Sequence, residues 1–435
     1  MKKLLKLAVM AVGALSFQSA YAFHSGGVAE CNGCHTMHNS FEGVAHDDDM
    51  AQFSSGPYLL KGNDQSSACL NCHSGPTLSG YHVATEPHTG GVNPGQAPVN
   101  LTPGGDFSWV KNTYTWTPRS GTTETSLGDR HGHNVVAADF GFAADGTLDE
   151  APGGTYPAAS LGCQSCHDPH GKFRRLADGS IVNGKAEPTL PIRGSGSYFT
   201  SADPVTDVYA VGVYRILGGL GYQPKSMVGN AAAPAFTEQV PAAVAPSSYN
   251  RTEAVTQTKV AYGSNMSEWC ANCHGQIHQS GYNSGQPGLT HPAANEEVLD
   301  SFIVSNYNVW VKTGDLSGTV ATAWNSLVPF EEGTADYAIL KGKAADLSGP
   351  ESGTENVMCL SCHRAHASGF DSMLRWSMAY EFITQGDAAG VPSWTGAAVA
   401  RGKTATEQEA AYYGRTAASF APYQRGLCNK CHVKD

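Results

Sequence analysis

Cys31-Asn-Gly-Cys34-His35 decides how this chain is read, because the same arrangement returns five more times. It recurs as Cys69-Leu-Asn-Cys72-His73, Cys163-Gln-Ser-Cys166-His167, Cys270-Ala-Asn-Cys273-His274, Cys359-Leu-Ser-Cys362-His363 and Cys428-Asn-Lys-Cys431-His432. Together these pentapeptides use all 12 cysteines. Two thiols two residues apart, followed at once by a histidine, form the c-type haem attachment signature. The thiols add to the two haem vinyl groups, and the next imidazole reaches the iron. A disulfide framework is the usual explanation of cysteines in an exported chain, and paired Cys-x-x-Cys units also build zinc sites. Neither requires a histidine after every second cysteine. The motif therefore predicts six covalently attached haem c groups, with His35, His73, His167, His274, His363 and His432 as proximal iron ligands.

Outward from the first motif, residues 1–22 read as a secretory signal peptide. Lys2, Lys3 and Lys6 precede an apolar run, and Ala20-Tyr21-Ala22 fits the cleavage site, so the mature chain would start at Phe23. The run is too short for a membrane span, which needs about 20 apolar residues. No later stretch approaches that length. The formal net charge is -11, and cleavage removes three lysines, so the mature protein is more acidic still. That excludes a simple nucleic-acid binder. Residues 23–435 are expected to form one hexahaem domain.

The 50 glycines and 23 prolines mark a chain rich in turns. First-cysteine spacings of 38, 94, 107, 89 and 69 residues rule out a simple tandem array. Residues 85–160 and 178–250 show little helical or strand periodicity and read as long loops draped over haems. Helical patterns occupy 296–313, 372–384 and 405–417, with a weak strand at 114–117 and a short turn at each motif. Such a sequence cannot offset its ordering entropy with side chains alone, so the haems are expected to serve as core. The acidic run 47–49 reads as a solvated loop, and Asn250-Arg-Thr252 matches a glycosylation sequon.

Beyond the motifs stand His24, His38, His46, His82, His88, His131, His133, His170, His278, His291 and His366. Six low-spin haems need six distal ligands, and this supply favours bis-histidine coordination over methionine ligation, hence low potentials. His38, His170 and His366 lie three residues beyond a proximal histidine, and His278 four beyond. A side chain so placed cannot pass round its own macrocycle to the opposite face of the iron. If these residues are ligands, each serves a different haem, which draws neighbouring haems together. His133 and His291 are the next candidates, followed by His24 and His82. His46, His88 and His131 read as surface residues or propionate partners.

The sequence resembles the filament-forming outer-surface hexahaem c-type cytochromes of Geobacter, the OmcS type. The matching blocks are 23–31, 31–40 (CNGCHTMHNS), 215–226 (RILGGLGYQPKS), 266–274 (MSEWCANCH), 359–373 (CLSCHRAHASGFDSM) and 420–432 (FAPYQRGLCNKCH). The resemblance implies a multihaem cytochrome c fold, mostly coil with short helices and little strand, wrapped around a continuous stack of six haems. It also implies head-to-tail polymerisation into extracellular, electron-conducting filaments. In such filaments His38 would supply the distal ligand to the fifth haem of the adjoining subunit, held by Cys359, Cys362 and His363. A heterologous contact that does not close generates a filament. The resemblance assigns no ligand role to His46, His88 or His131.

The expected function is electron transfer at the cell's outer surface, from other envelope cytochromes to external acceptors such as iron(III) oxides. A catalytic residue is not required. Two alternatives share the haems: a monomeric periplasmic shuttle, in which His38 would act within its own chain, and a multihaem reductase. The reductase needs an open axial position, and no motif here replaces its histidine with the lysine common in ammonia-forming nitrite reductases.

Overall fold

The computed structural model describes residues 31–36, 40–41, 44–45, 55–75, 82–85, 97–184, 190–246, 259–278, 291–309, 319, 328–344, 346, 348–350 and 353–432. The leader, His24, His38, His46, His88, the acidic run 47–49 and the 250–252 sequon lie outside the described residues.

Regular structure is short throughout. The helices are α1 (Cys31–Cys34), α2 (Gln65–His73), α3 (Met266–His278), α4 (Ser301–Val309), α5 (Tyr337–Lys343), α6 (Cys359–Cys362), α7 (Ala397–Ala400) and α8 (Ala405–Ala411). Motifs three and six form 3-10 turns at Cys163–Ser165 and Leu427–Lys430. Local chemistry accounts for several of these limits. Asp64 caps α2 by accepting from the Ser67 N–H, and Asp336 does the same for α5 from Ala338. Thr404 and Glu407 close a reciprocal capping box on α8. The strands are antiparallel pairs of two to four residues, joined once into three strands by Arg174–Arg175 pairing with both Ile181–Val182 and Val211–Gly212.

The expected strand is present as Tyr114–Trp116, paired with Glu124–Ser126. Residues 85–160, where described, are coil and 3-10 turns around that hairpin. Among the described residues the helical pattern at 296–313 yields α4, and that at 405–417 ends at Ala411. There Tyr413 (φ 60°) and Gly414 (φ 74°) turn the chain left-handed. The pattern at 372–384 is no helix. Ser372 and Met373 take φ of 57° and 56°, and the apolar spacing that mimics a helical face serves separate burials at Trp376 and Ile383.

Apolar burial is divided into separate clusters, three of which border cysteines. Trp109, Tyr307, Trp376, Trp394, Tyr412 and Phe420 pack in one, with Cys362 and Cys431 against it. Phe173, Val213, Tyr222, Phe236 and Met266 pack in another, against Trp269 and Cys273.

Candidate haem-iron site

The odd-numbered motifs share a cradle. A short β-bridge joins His35 to Leu60, His167 to Leu217 and His363 to Leu374. Just before each leucine, two residues without glycine's freedom adopt positive φ: Tyr58 and Leu59 (65°, 57°), Arg215 and Ile216 (both 51°), Ser372 and Met373 (57°, 56°). Such backbone costs energy and persists only when its surroundings hold it. Here it aims a carbonyl at each motif histidine: Nδ1 lies 3.0 Å from Tyr58 O, 2.8 Å from Arg215 O and 2.7 Å from Ser372 O. An Nδ1 facing a carbonyl must carry the hydrogen, so the lone pair is on Nε2, the form that binds iron. The residue after each first cysteine is held as well. Asn32 O accepts from Lys61 Nζ, Gln164 O from the Tyr222 hydroxyl at 2.6 Å, and Leu360 O from Arg375 Nε at 2.6 Å.

Even motif two instead ends α2, motif four lies within α3, and both are tied to the next odd motif. Ser66 Oγ accepts from Cys163 N, and Ser267 Oγ from Cys359 N, both at 3.1 Å. The Cys69 and Cys163 thiols are neighbours, as are those of Cys270 and Cys359. Burial raises the thiol pKa of Cys34, Cys166 and Cys362, and a neighbour adds to each: Cys72, Cys273, and Cys428 with Cys431. These contacts order the attachment points from one to six in sequence. No cysteine is in a disulfide, and among the described residues no three His, Cys, Asp or Glu side chains form a metal-binding group.

Imidazoles meet in pairs across these points. His35 and His170 have ring centroids 6.4 Å apart, His167 and His366 6.4 Å, His274 and His133 6.1 Å, and His432 and His291 5.9 Å. Two metal–nitrogen bonds of about 2 Å each plus the inner ring radii come to roughly 6 Å. The pairs therefore fit one iron between each two rings. The second member is held too, with His133 Nδ1 2.7 Å from Ala365 O and His291 Nδ1 2.9 Å from Pro292 O. Burial, then the opposed His274, lowers His133 to about 4. Burial, then His167, lowers His366 to about 3. Glycines make room for His366: a Cβ on Gly104 would lie 3.0 Å from its ring.

His363 has Nδ1 on Ser372 O, yet among the described residues no second imidazole stacks across from it. His278 stands outside the pairs, its Nε2 3.9 Å from Glu268 Oε1. His82 lies beside Gly75 and is lowered by burial. His131, expected at the surface or beside a propionate, is fully buried, with Nδ1 3.1 Å from Trp109 O and Nε2 2.7 Å from Ser126 Oγ. The odd–even organisation escapes the cysteine spacings. Its signal is that only motifs one, three and five read Cys-x-x-Cys-His-x-x-His.

No family model matches the chain. It is 56% identical over 450 aligned positions, spanning all of both sequences, to the C-type cytochrome OmcS of Geobacter sulfurreducens. The chain belongs to the OmcS family of c-type cytochromes. It also matches a cryo-EM structure of OmcS nanowires from that organism, with a TM-score of 0.84 and 57% identity over 95% of this chain and 100% of the other. A second structure, an outer membrane cytochrome S filament from the same organism, matches with the same TM-score and coverage. The coil-rich, short-element architecture is thus the OmcS fold, and as a c-type cytochrome the chain carries covalently bound haem c. Among the described residues no helix is long and apolar enough to cross a membrane.

Proposed function

We propose that the exported chain, residues 23–435, binds six haem c groups as one domain and polymerises head to tail into an extracellular electron conductor. When bound, haem supplies a one-electron Fe(III)/Fe(II) couple, and the protein sets its spacing and potential. The observation that carries the reading is the rule linking the odd motifs. His170, from motif three, faces His35 of motif one, and His366, from motif five, faces His167 of motif three. Continued once more, His38 of motif one in the next copy would face His363 of motif five. Within one chain His363 faces no second imidazole among the described residues, and a polymer would supply one at every junction. Both solved relatives are filaments.

The even motifs follow a parallel rule. His133 precedes motif three and faces His274 of motif four, and His291 precedes motif five and faces His432 of motif six. By the same step His24, just before motif one, is assigned to His73 of motif two. That uses His24, His38, His133, His170, His291 and His366 as distal ligands and leaves His82 and His278 without an iron. Electrons would enter from other envelope cytochromes and leave to acceptors such as iron(III) oxides. The residues hold and space the redox centres, and none is needed to bind or transform a substrate.

The test is His38→Ala, compared with wild type by cryo-electron microscopy and electron paramagnetic resonance. Wild type should give filaments and only low-spin haem. The variant should give single subunits with one haem in six high-spin, as the six motifs require. Filaments from the variant, or His38 bound within its own chain in monodisperse wild-type particles, would overturn the proposal, the latter in favour of a soluble shuttle.

A further inference from the structure

The three odd cradles share one backbone but differ in the residue whose carbonyl receives the proximal Nδ1–H. It is Tyr58 in the first, Arg215 in the second and Ser372 in the third. Only the middle one carries charge. We propose that the Arg215 guanidinium is a fixed positive charge that raises the reduction potential of the third haem, a role that rests on assigning His167 and His366 to one iron.

The guanidinium is held by aromatic groups. Nη1 donates to the Tyr198 hydroxyl at 2.6 Å, and the guanidinium carbon lies 5.0 Å from the Tyr198 ring centroid and 5.7 Å from that of Tyr214. Both tyrosines are buried, and among the described residues no carboxylate forms an ion pair with Arg215. Arginine suits this setting, since its planar cation stacks on rings and is weakly hydrated.

The cations of the other two cradles donate to backbone carbonyls of their motifs. Lys61 and Arg375 hold the carbonyls of Asn32 and Leu360, and Arg375 Nε also lies 3.2 Å from His363 O. The position equivalent to these two is Gly218 in the second cradle, where the neutral Tyr222 hydroxyl does that work. The second cradle's positive charge is thereby moved onto Arg215. Its backbone is fixed to His167, whose ring lies 6.4 Å from that of His366.

Reduction lowers the charge on an iron by one. A nearby cation in a medium less polar than water therefore favours the reduced form. Contact between Arg215 and a haem propionate would act in the same direction, by neutralising the carboxylate.

The test is a spectropotentiometric titration of the holoprotein and its Arg215→Gln and Arg215→Lys variants, followed at the haem α band. In Arg215→Gln one sixth of the amplitude, one haem of six, should move to lower potential while the rest stays in place. Arg215→Lys should retain most of the wild-type curve. A Gln curve superimposable on wild type would overturn the assignment. Haem stoichiometry by mass spectrometry and the low-spin signal are read in the same samples, so loss of a ligand is distinguished from loss of the charge. Tyr198→Phe, which unties the guanidinium but keeps the charge, provides a second test. It should shift the same sixth by less, and an unchanged curve there, should Arg215→Gln fail to fold, would equally refute the proposal.

Discussion

Gly105 has φ of +96°, and a Cβ built on it would lie 1.8 Å from Ala367 O. Its own N–H closes a turn on Thr102 O, while its neighbour Gly104 accepts the His366 N–H through its carbonyl. Nothing flexible can yield to a methyl group there. Gly105→Ala should therefore cost about 1–3 kcal/mol and push the 366–367 backbone away, unseating His366. The check is a high-spin signal from one haem in a variant that still carries its full complement of haem c. Glu331 makes a prediction of a different kind. It is fully buried, its Oε1 accepts from Met266 N at 2.6 Å, and burial, with Glu268 nearby, pushes its carboxyl up to about 8. The folded chain keeps a proton that an unfolded chain, with an ordinary value of about 4.3, gives up. Its contribution is fully present below that ordinary value and lost as pH rises through about 8. Melting temperature should fall over that interval, and Glu331→Gln should flatten the fall. A wild-type slope that survives the substitution would show that other groups cause it.

Between the motifs, single hydroxyls set the joints. Ser66 and Ser267 stand three residues before the first cysteine of their own motif and accept the N–H of the first cysteine of the next. Removing either acceptor strands a backbone donor, a loss of about 1–3 kcal/mol. Ser66→Ala and Ser267→Ala should each lower stability by that amount. The two joints share no partner, so their effects should add within about 0.5 kcal/mol in the double variant, read by denaturant unfolding. The sixth motif has Arg425 at this position, ion-paired with Glu381, so the serine joint is not continued there. The joints also mark what could be read from sequence at this scale. The motif turns, the Tyr114–Trp116 strand and the start of α8 were legible because Cys-x-x-Cys-His, alternating aromatics and the Thr404–Glu407 box each act locally. The cradles were not. Tyr58-Leu59, Arg215-Ile216 and Ser372-Met373 bear no glycine or asparagine to favour positive φ, and the pull of a histidine on a carbonyl of each pair accounts for it. The 372–384 segment misled for that reason, since helical spacing cannot report a strained turn imposed from outside.

At the scale of the molecule, haem attachment and the family could be read from the chain, whereas the partnering of imidazoles could not. His170 and His35 are 135 residues apart in the numbering and meet only because motif three folds back on motif one. The same fact determines what the chain can do alone. Its longest described helix has 13 residues, its strands two to four, and its apolar clusters are separate, the smallest being Tyr156, Met227 and Ala233 beside Cys273. Three of the clusters have motif cysteines packed against them rather than closing on themselves. Ordering each residue costs about 1–2 kcal/mol of backbone entropy, and small isolated clusters cannot offset that. The haems must complete them, much as a metal completes a zinc finger. Mature chain made without haem attachment should therefore lack a cooperative thermal transition by circular dichroism and expose its apolar groups to a hydrophobic dye. Holoprotein prepared in parallel should unfold cooperatively. A compact apoprotein with a sharp transition would show that the side-chain clusters suffice, and the haems would then be cargo in a preformed fold instead of its core.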